Sequence, residues 1–189
     1  MLPEPNSDLE YRINAAIARQ LSPRHLSLSL TDAALLAKYA IDAADEANVP
    51  IVFSLVDACG QQRYFFSMDN ALLVSHTLAG QKAWTAVALR MPTHRLATEV
   101  QPGASLYGLQ NEPGICCFGG GLPCWSGGVL LGAIGISGGS VEEDIAIASA
   151  ALTRFSREQF PLTLAITSSL KRKRQTEVIM SLASLVFGH

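Results

Sequence analysis

A mixed α/β (α+β) domain, with helices covering a central antiparallel sheet of about five strands, is the fold this sequence predicts. Three observations carry the prediction. Stretches of helical character lie at 33–47, 70–89 and 141–155. Short β-rich runs lie between them, at 51–56, 63–68, 115–118, 122–125 and 129–137. Several of these runs are joined by tight turns, which link antiparallel neighbours, whereas a parallel pair needs a crossover of about a dozen residues or more.

The first helical segment stands apart from the rest. Over 8–21 the apolar residues Leu9, Ile13, Ala16, Ile17 and Leu21 recur at intervals of three and four, and Glu10, Arg12 and Arg19 take the other side. Ser22-Pro23 ends it, because proline has no amide hydrogen and restricts the residue before it. Thr31-Asp32 then offers a helix start, and Leu36, Ala40, Ala43 and Ala47 form a narrow apolar stripe that Asn48 and Pro50 terminate. The run at 51–56, the turn Ala58-Cys59-Gly60-Gln61 and the run at 63–68 read as a β-hairpin.

Asp69 or Asn70 is placed to cap a long helix whose face Leu72, His76, Ala79, Ala83 and Ala86 is mostly small and suits close packing on a sheet. Met91-Pro92 breaks it, Thr93 is an N-cap candidate for a short helix to Val100, and 101–113 is a loop. After the strand-like 115–118, Gly119-Gly120-Gly121 bends the chain toward 122–125. Gly132 and Gly135 inside 129–137 mark a strand that a helix or a ligand approaches closely. Gly138-Gly139-Ser140 leads into the last long helix, whose first turn carries Glu142, Glu143 and Asp144 where the helix dipole favours negative charge.

Beyond Phe160-Pro161 the character changes. The chain passes Ser168-Ser169 and the basic run Lys171-Arg172-Lys173-Arg174, then reaches Ile179, Leu182, Leu185 and Val186, a second small amphipathic pattern over 177–187. The expected organisation is an N-terminal extension at 1–23, one domain at 24–160 and a C-terminal extension at 161–189.

Fourteen Lys and Arg against 16 Asp and Glu leave a net charge of −2, so no overall field draws the chain to nucleic acid or anionic lipid. The basic run reads as a solvated linker. No apolar run approaches the roughly 18 residues of a membrane span, and Pro3, Glu4 and Asp8 replace the basic start of a signal peptide. The expectation is a cytoplasmic protein with neither nucleic-acid nor membrane partners. Cys59, Cys116, Cys117 and Cys124 include no C-x-x-C pair, which points to free, mostly buried thiols and away from structural zinc.

No catalytic constellation is legible. The glycines at 132, 135 and 138 depart from G-x-G-x-x-G, and the first two lie within a strand rather than in a strand-to-helix turn. No G-x-S-x-G elbow occurs, and no Ser or Cys has a His at a recognisable spacing. Among His25, His76, His94 and His189, two are candidate ligands for a metal or haem iron. His76 lies on the long helix, and His25 sits beside Leu26 and near Leu28 just before the first domain helix. Either imidazole could equally be an ordinary core or interface residue.

Several ordered motifs carry a family resemblance. Val56-Asp57-Ala58-Cys59-Gly60, Met68-Asp69-Asn70-Ala71 and Gln81-Lys82-Ala83-Trp84-Thr85-Ala86 are followed by Phe118-Gly119-Gly120-Gly121-Leu122-Pro123, the glycines of 132–139 and Val141-Glu142-Glu143-Asp144. Over about 28–152 the chain resembles the GlcG/HbpS family of haem-binding domains, and through Pro102-Gly103-Ala104-Ser105-Leu106-Tyr107-Gly108-Leu109 it is most similar to the C-terminal domain of PduO-type cobalamin adenosyltransferases. Ser67, where the family often has Arg, and Cys59, where it has a small residue, depart from the pattern.

The resemblance implies a profilin-like three-layer α-β-α domain that forms homo-oligomers. It implies haem as cofactor, with a corrinoid as the weaker choice, in an apolar interface pocket, and His25 and His76 are the residues offered as iron ligands. The function expected is that of a haem- or tetrapyrrole-binding accessory protein. A microcompartment homo-oligomer without cofactor, or an enzyme degrading haem or a small metabolite, are the alternatives. Adenosyltransferase activity is not expected, since about 27 residues precede the matching domain. The terminal segments are similar to the encapsulation peptides of bacterial microcompartment cargo, which makes shell or cargo proteins their candidate partners, and a helix that docks on its own oligomer is the equal alternative.

If the extensions serve contacts rather than the core, deleting 1–22 or 171–189 should leave the melting temperature within a few degrees while weakening recruitment to a partner. Isolated helices shorter than ~12–15 residues are marginal in water and order when they find a groove. Thermal melts of both truncations check this, and a truncation that fails to fold would assign its segment to the core.

Overall fold

The computed structural model describes residues 28–159. The elements run α1 (Leu30–Ala47), β1 (Val52–Asp57), β2 (Gln62–Ser67), α2 (Ser75–Ala88), α3 (Thr93–Glu99), a 3-10 turn at Leu109–Asn111, β3 (Gly121–Ser126), β4 (Val129–Ser137) and α4 (Val141–Gln159). All sheet pairings are antiparallel, in the order β2-β1-β4-β3. β1 and β4 are therefore central, and β2 and β3 are edges.

Alternation along the central strands sends side chains to two different layers. Phe53, Leu55, Ile134 and Ile136 enter the main core with Leu36, Ala40, Ala44 of α1 and Ile147, Ala151, Phe155 of α4. Val56 and Ala133 face the other way and meet Ala83, Ala86 and Val87 of α2. The result is the expected three-layer α-β-α arrangement, with β1 buried along its whole length because both of its faces are covered. Phe53 stacks on Phe66 with ring centroids 5.3 Å apart, which fastens the edge strand β2 to the main core.

Gly135 lets α2 lie close to the sheet. A Cβ at this position would stand 2.0 Å from Ala79 O and 2.6 Å from Ala83 N, so any side chain would push the helix outward. The interior glycine therefore marks a helix, one of the two groups its strand pattern allowed.

Several element boundaries differ from the sequence expectation, each for a local reason. α1 starts at Leu30 because Ser29, not Thr31-Asp32, is the N-cap: its hydroxyl accepts from Asp32 N at 3.1 Å while the Asp32 carboxylate takes Ser29 N at 3.0 Å. α2 starts at Ser75 instead of following a cap at Asp69 or Asn70, since Asn70 is left-handed at φ 65 and the chain makes further turns first. Pro92 takes the N-cap position of α3, and the Thr93 hydroxyl instead accepts from Gly121 N at 2.9 Å, tying α3 to β3.

The sheet has four strands, not about five, because 115–118 forms none. Cys116 N donates to Thr85 Oγ1 at 2.9 Å, so this stretch bonds to α2 in place of a neighbouring strand. The two terminal amphipathic patterns and the basic run lie outside the described residues. Among the described residues no helix is long and apolar enough to cross a membrane.

The four thiols are free; Cys116 and Cys124 are buried and Cys59 is exposed on the β1–β2 turn. Burial pushes the Cys124 thiol up to about 12 and raises those of Cys116 and Cys117. In native protein near pH 8, a disulfide reagent should label Cys59 rapidly, the half-buried Cys117 more slowly, and Cys116 and Cys124 only on unfolding, because the thiolate is the nucleophile and must be reached. Gly135→Ala should cost about 1–3 kcal/mol or more through overpacking, read from urea unfolding.

Candidate functional site

The exposed part of the α2 side of the sheet begins at β2. Tyr64 and Phe66 pack against the main core, so Phe65 between them points to the opposite face. α2 lies mainly over β4, β1 and β3, and Phe65 remains 38% exposed. The turns leading into α2 then present Leu72, Leu73 and Val74 in succession, 59%, 86% and 57% exposed. Together they form an apolar shelf.

His76 stands on this shelf, exposed, with its ring centroid 6.1 Å from that of Phe65. Its Nδ1 lies 3.2 Å from Leu73 O. A carbonyl oxygen can only accept, so Nδ1 is the donor here, and in the neutral imidazole the Nε2 lone pair is then available. That is the state in which a histidine ligates iron through Nε2 while its other nitrogen is held by an outer partner.

The position corrects one sequence expectation. Ala79, Ala83 and Ala86 do face the sheet, but Ser75 and Lys82 complete that buried face, whereas Leu72 and His76 are exposed. Leu72 precedes the helix, and Ser75 occupies the inward position at its start. His94 is exposed on α3. His25, the other candidate ligand, lies outside the described residues.

Sequence reasoning missed the polar centre of the domain. Lys82 Nζ lies 2.6 Å from Asp144 Oδ2 and 2.9 Å from Ile136 O, with the lysine 2% and the aspartate 4% exposed as side chains. Burial pushes the Asp144 carboxyl up, while the Lys82 ammonium and the Gly139 and Gly138 amides pull it back. Gly119-Gly120-Gly121 closes over the pair: a Cβ at Gly120 would stand 2.9 Å from Asp144 Cβ and 3.1 Å from Lys82 Nζ. The signal was present in the sequence, since Lys82 falls three residues after Ala79 on the face that packs inward.

Removing one member of such a pair strands the other charge in the interior. Lys82→Met and Asp144→Leu should each destabilise by about 3–5 kcal/mol, and the double variant should recover much of the loss, as urea unfolding would show. The pair is buried between α2, β4 and the start of α4. Among the described residues no group of three His, Cys, Asp or Glu could hold a metal ion.

Comparison with known proteins places this geometry. Residues 28–153 match the family model described as haem degrading protein HbpS-like. The corrinoid adenosyltransferase PduO of Citrobacter freundii is 50% identical over 129 residues, 67% of this chain and 38% of that protein. An uncharacterized 15.0 kDa protein of the same organism is 46% identical over 132 residues, covering 69% of this chain and 93% of its own. The solved PduOC:heme complex superposes with a TM-score of 0.66 at 47% identity, covering 67% of this chain and 94% of that structure. The chain thus spans less than half the length of the adenosyltransferase, and nearly all of the 15.0 kDa protein and of PduOC. With 28–153 matched by the family model and the three-layer fold shared with PduOC, the chain belongs to the HbpS-like family.

Proposed function

We propose that this chain is a haem-binding accessory protein whose iron ligand is a histidine at an apolar surface. The observation that carries the reading is the shelf of Phe65, Leu72, Leu73 and Val74 around His76, with Nδ1 engaged and Nε2 free. Support comes also from PduOC, 47% identical and solved as a heme complex. The residues fit the group: a porphyrin offers large apolar faces, and a neutral imidazole is a common axial ligand. Haem, when bound, supplies a redox-active iron whose potential the axial ligand tunes. This chain's part is to offer one face of the macrocycle an apolar surface and to hold His76 toward it through the Nδ1 contact with Leu73 O. His25 is the second candidate ligand.

Association with a bacterial microcompartment belongs to the same proposal, supported by the similarity of the terminal segments to encapsulation peptides.

Absorption titration with haemin tests the reading. Wild type should develop a shifted Soret band, and His76→Ala should weaken binding by at least ~10-fold, the lower end of what an outer partner alone is worth at metal sites. His25→Ala run in parallel decides between the two histidines. A Soret band that never shifts in wild type would leave the cofactor-free oligomer as the better account, and a shift untouched by either substitution would remove both histidines as ligands.

A further inference from the structure

We propose that the stretch 177–187 lies as a short helix in the groove between α1 and the edge strand β2 of its own chain, with the basic run at 171–174 along acids at the groove's border. The first ground is the groove itself. Ile41 of α1 lines it with Tyr64, Phe66, Ser67, Met68 and Asp69, around an opening of about 440 Å³. Tyr64, Phe66 and Met68 are partly buried and also pack against the main core. The groove is thus an open margin of that core, next to the last strand on this side of the sheet.

The second ground is charge, and it chooses between the two extensions. Asp69 lines the groove, and Asp45 lies one turn beyond Ile41 on α1. Both are exposed, and among the described residues neither makes an ion pair, whereas Lys38, a turn before Ile41, is held by Asp42. The stretch 171–189 carries Lys171, Arg172, Lys173 and Arg174 against one acid, Glu177. The stretch 1–23 carries three acids, Glu4, Asp8 and Glu10, against Arg12 and Arg19. Free carboxylates at the border favour the C-terminal segment over the N-terminal one.

The third ground is reach. Arg154 lies 2.8 Å from Asp42 and the Tyr39 hydroxyl donates to Glu158, so the last turns of α4 run against the turn of α1 that holds Ile41. The width of one helix, about 10 Å, has to be crossed from there to the groove. Residues 160–176 span up to about 56 Å when extended, which is ample. Eleven residues of helix are about 16 Å long, close to the roughly 17 Å of extended chain from Tyr64 to Asp69. Ile179, Leu182, Leu185 and Val186 supply the apolar side. So short a helix is marginal alone, but a flexible tether presents it to its groove at about millimolar effective concentration.

Trypsin cuts after Lys and Arg, so on the whole chain the basic run reports its own exposure. When docking is fast relative to cutting, the rate follows the undocked fraction. Wild type should be cut at 171–174 at least about 5-fold more slowly than Ile41→Glu, and more slowly than the double variant Asp45→Asn, Asp69→Asn, which alters exposed side chains alone. All three should melt within a few degrees of one another. In a Cys59→Ser background, Ile41→Cys with Leu182→Cys and a short bis-maleimide shows which chain supplies the segment. A link within one chain is expected. Equal cutting of wild type and both variants would overturn the proposal. A link between chains would give the groove to a second copy, and no link would leave it to some other occupant; either result overturns docking within the chain. None of these readouts depends on haem.

Discussion

Lys82 reaches from α2 to Asp144 at the start of α4 and to the carbonyl of Ile136 on β4, so one ammonium joins both helical layers and a central strand. Its attraction for Asp144 is set against the cost of taking two charges out of water, and buried pairs of this kind contribute little net stability relative to an apolar replacement. What the pair does decide is register. The ammonium needs its acceptors within hydrogen-bond reach, and that condition holds α2 in one position along the sheet. Everything exposed on α2, from His76 to Trp84, inherits its place from that position.

The two faces of the sheet are packed by different means. Large side chains fill the side of α1 and α4, where Phe53, Phe66 and Phe155 meet aliphatic residues. On the side of α2 the contacts are small, with Ala79 and Ala83 against Gly135 and with Val56 and Ala133 nearby. A single helix is about 10 Å across, while four strands about 4.8 Å apart span about 14 Å between the outer two. One helix therefore leaves part of the sheet uncovered, and the strand left over is β2 with Phe65. The apolar shelf follows from α2 and the short α3 lying toward β4, β1 and β3, which leaves β2 without a helix over that face.

Around the α1–α4 seam the chemistry is that of an ordinary wet surface. Arg154 lies over the Tyr39 ring at 4.1 Å and reaches Asp42 at 2.8 Å, and the Tyr39 hydroxyl donates to Glu158. Such exposed pairs add little to stability. They do make this side polar and charged, in contrast to α2, whose outer residues are neutral for the length of the helix apart from the titratable His76.

The sequence by itself determined the elements whose causes are local. Helical period, proline breaks and the Asn48 stop were enough for α1, α3 and α4 to within a few residues; the hairpin of β1 and β2 and the glycines of β4 were legible in the same way. The family motifs set the three-layer arrangement. Only the tertiary structure decided what depends on partners far along the chain. The stretch 115–118 has strand composition, yet Thr85 of α2 takes the Cys116 amide and leaves the sheet with four strands. Lys82 and Asp144 are 62 positions apart, and neither betrays its mate because an ion pair requires proximity in space alone. His76 was placed by period on the inner face, but Ser75 takes the inward position at the start of the helix and the imidazole is exposed. Local signals specify conformation residue by residue, whereas pairing and exposure are settled only when the layers close on one another.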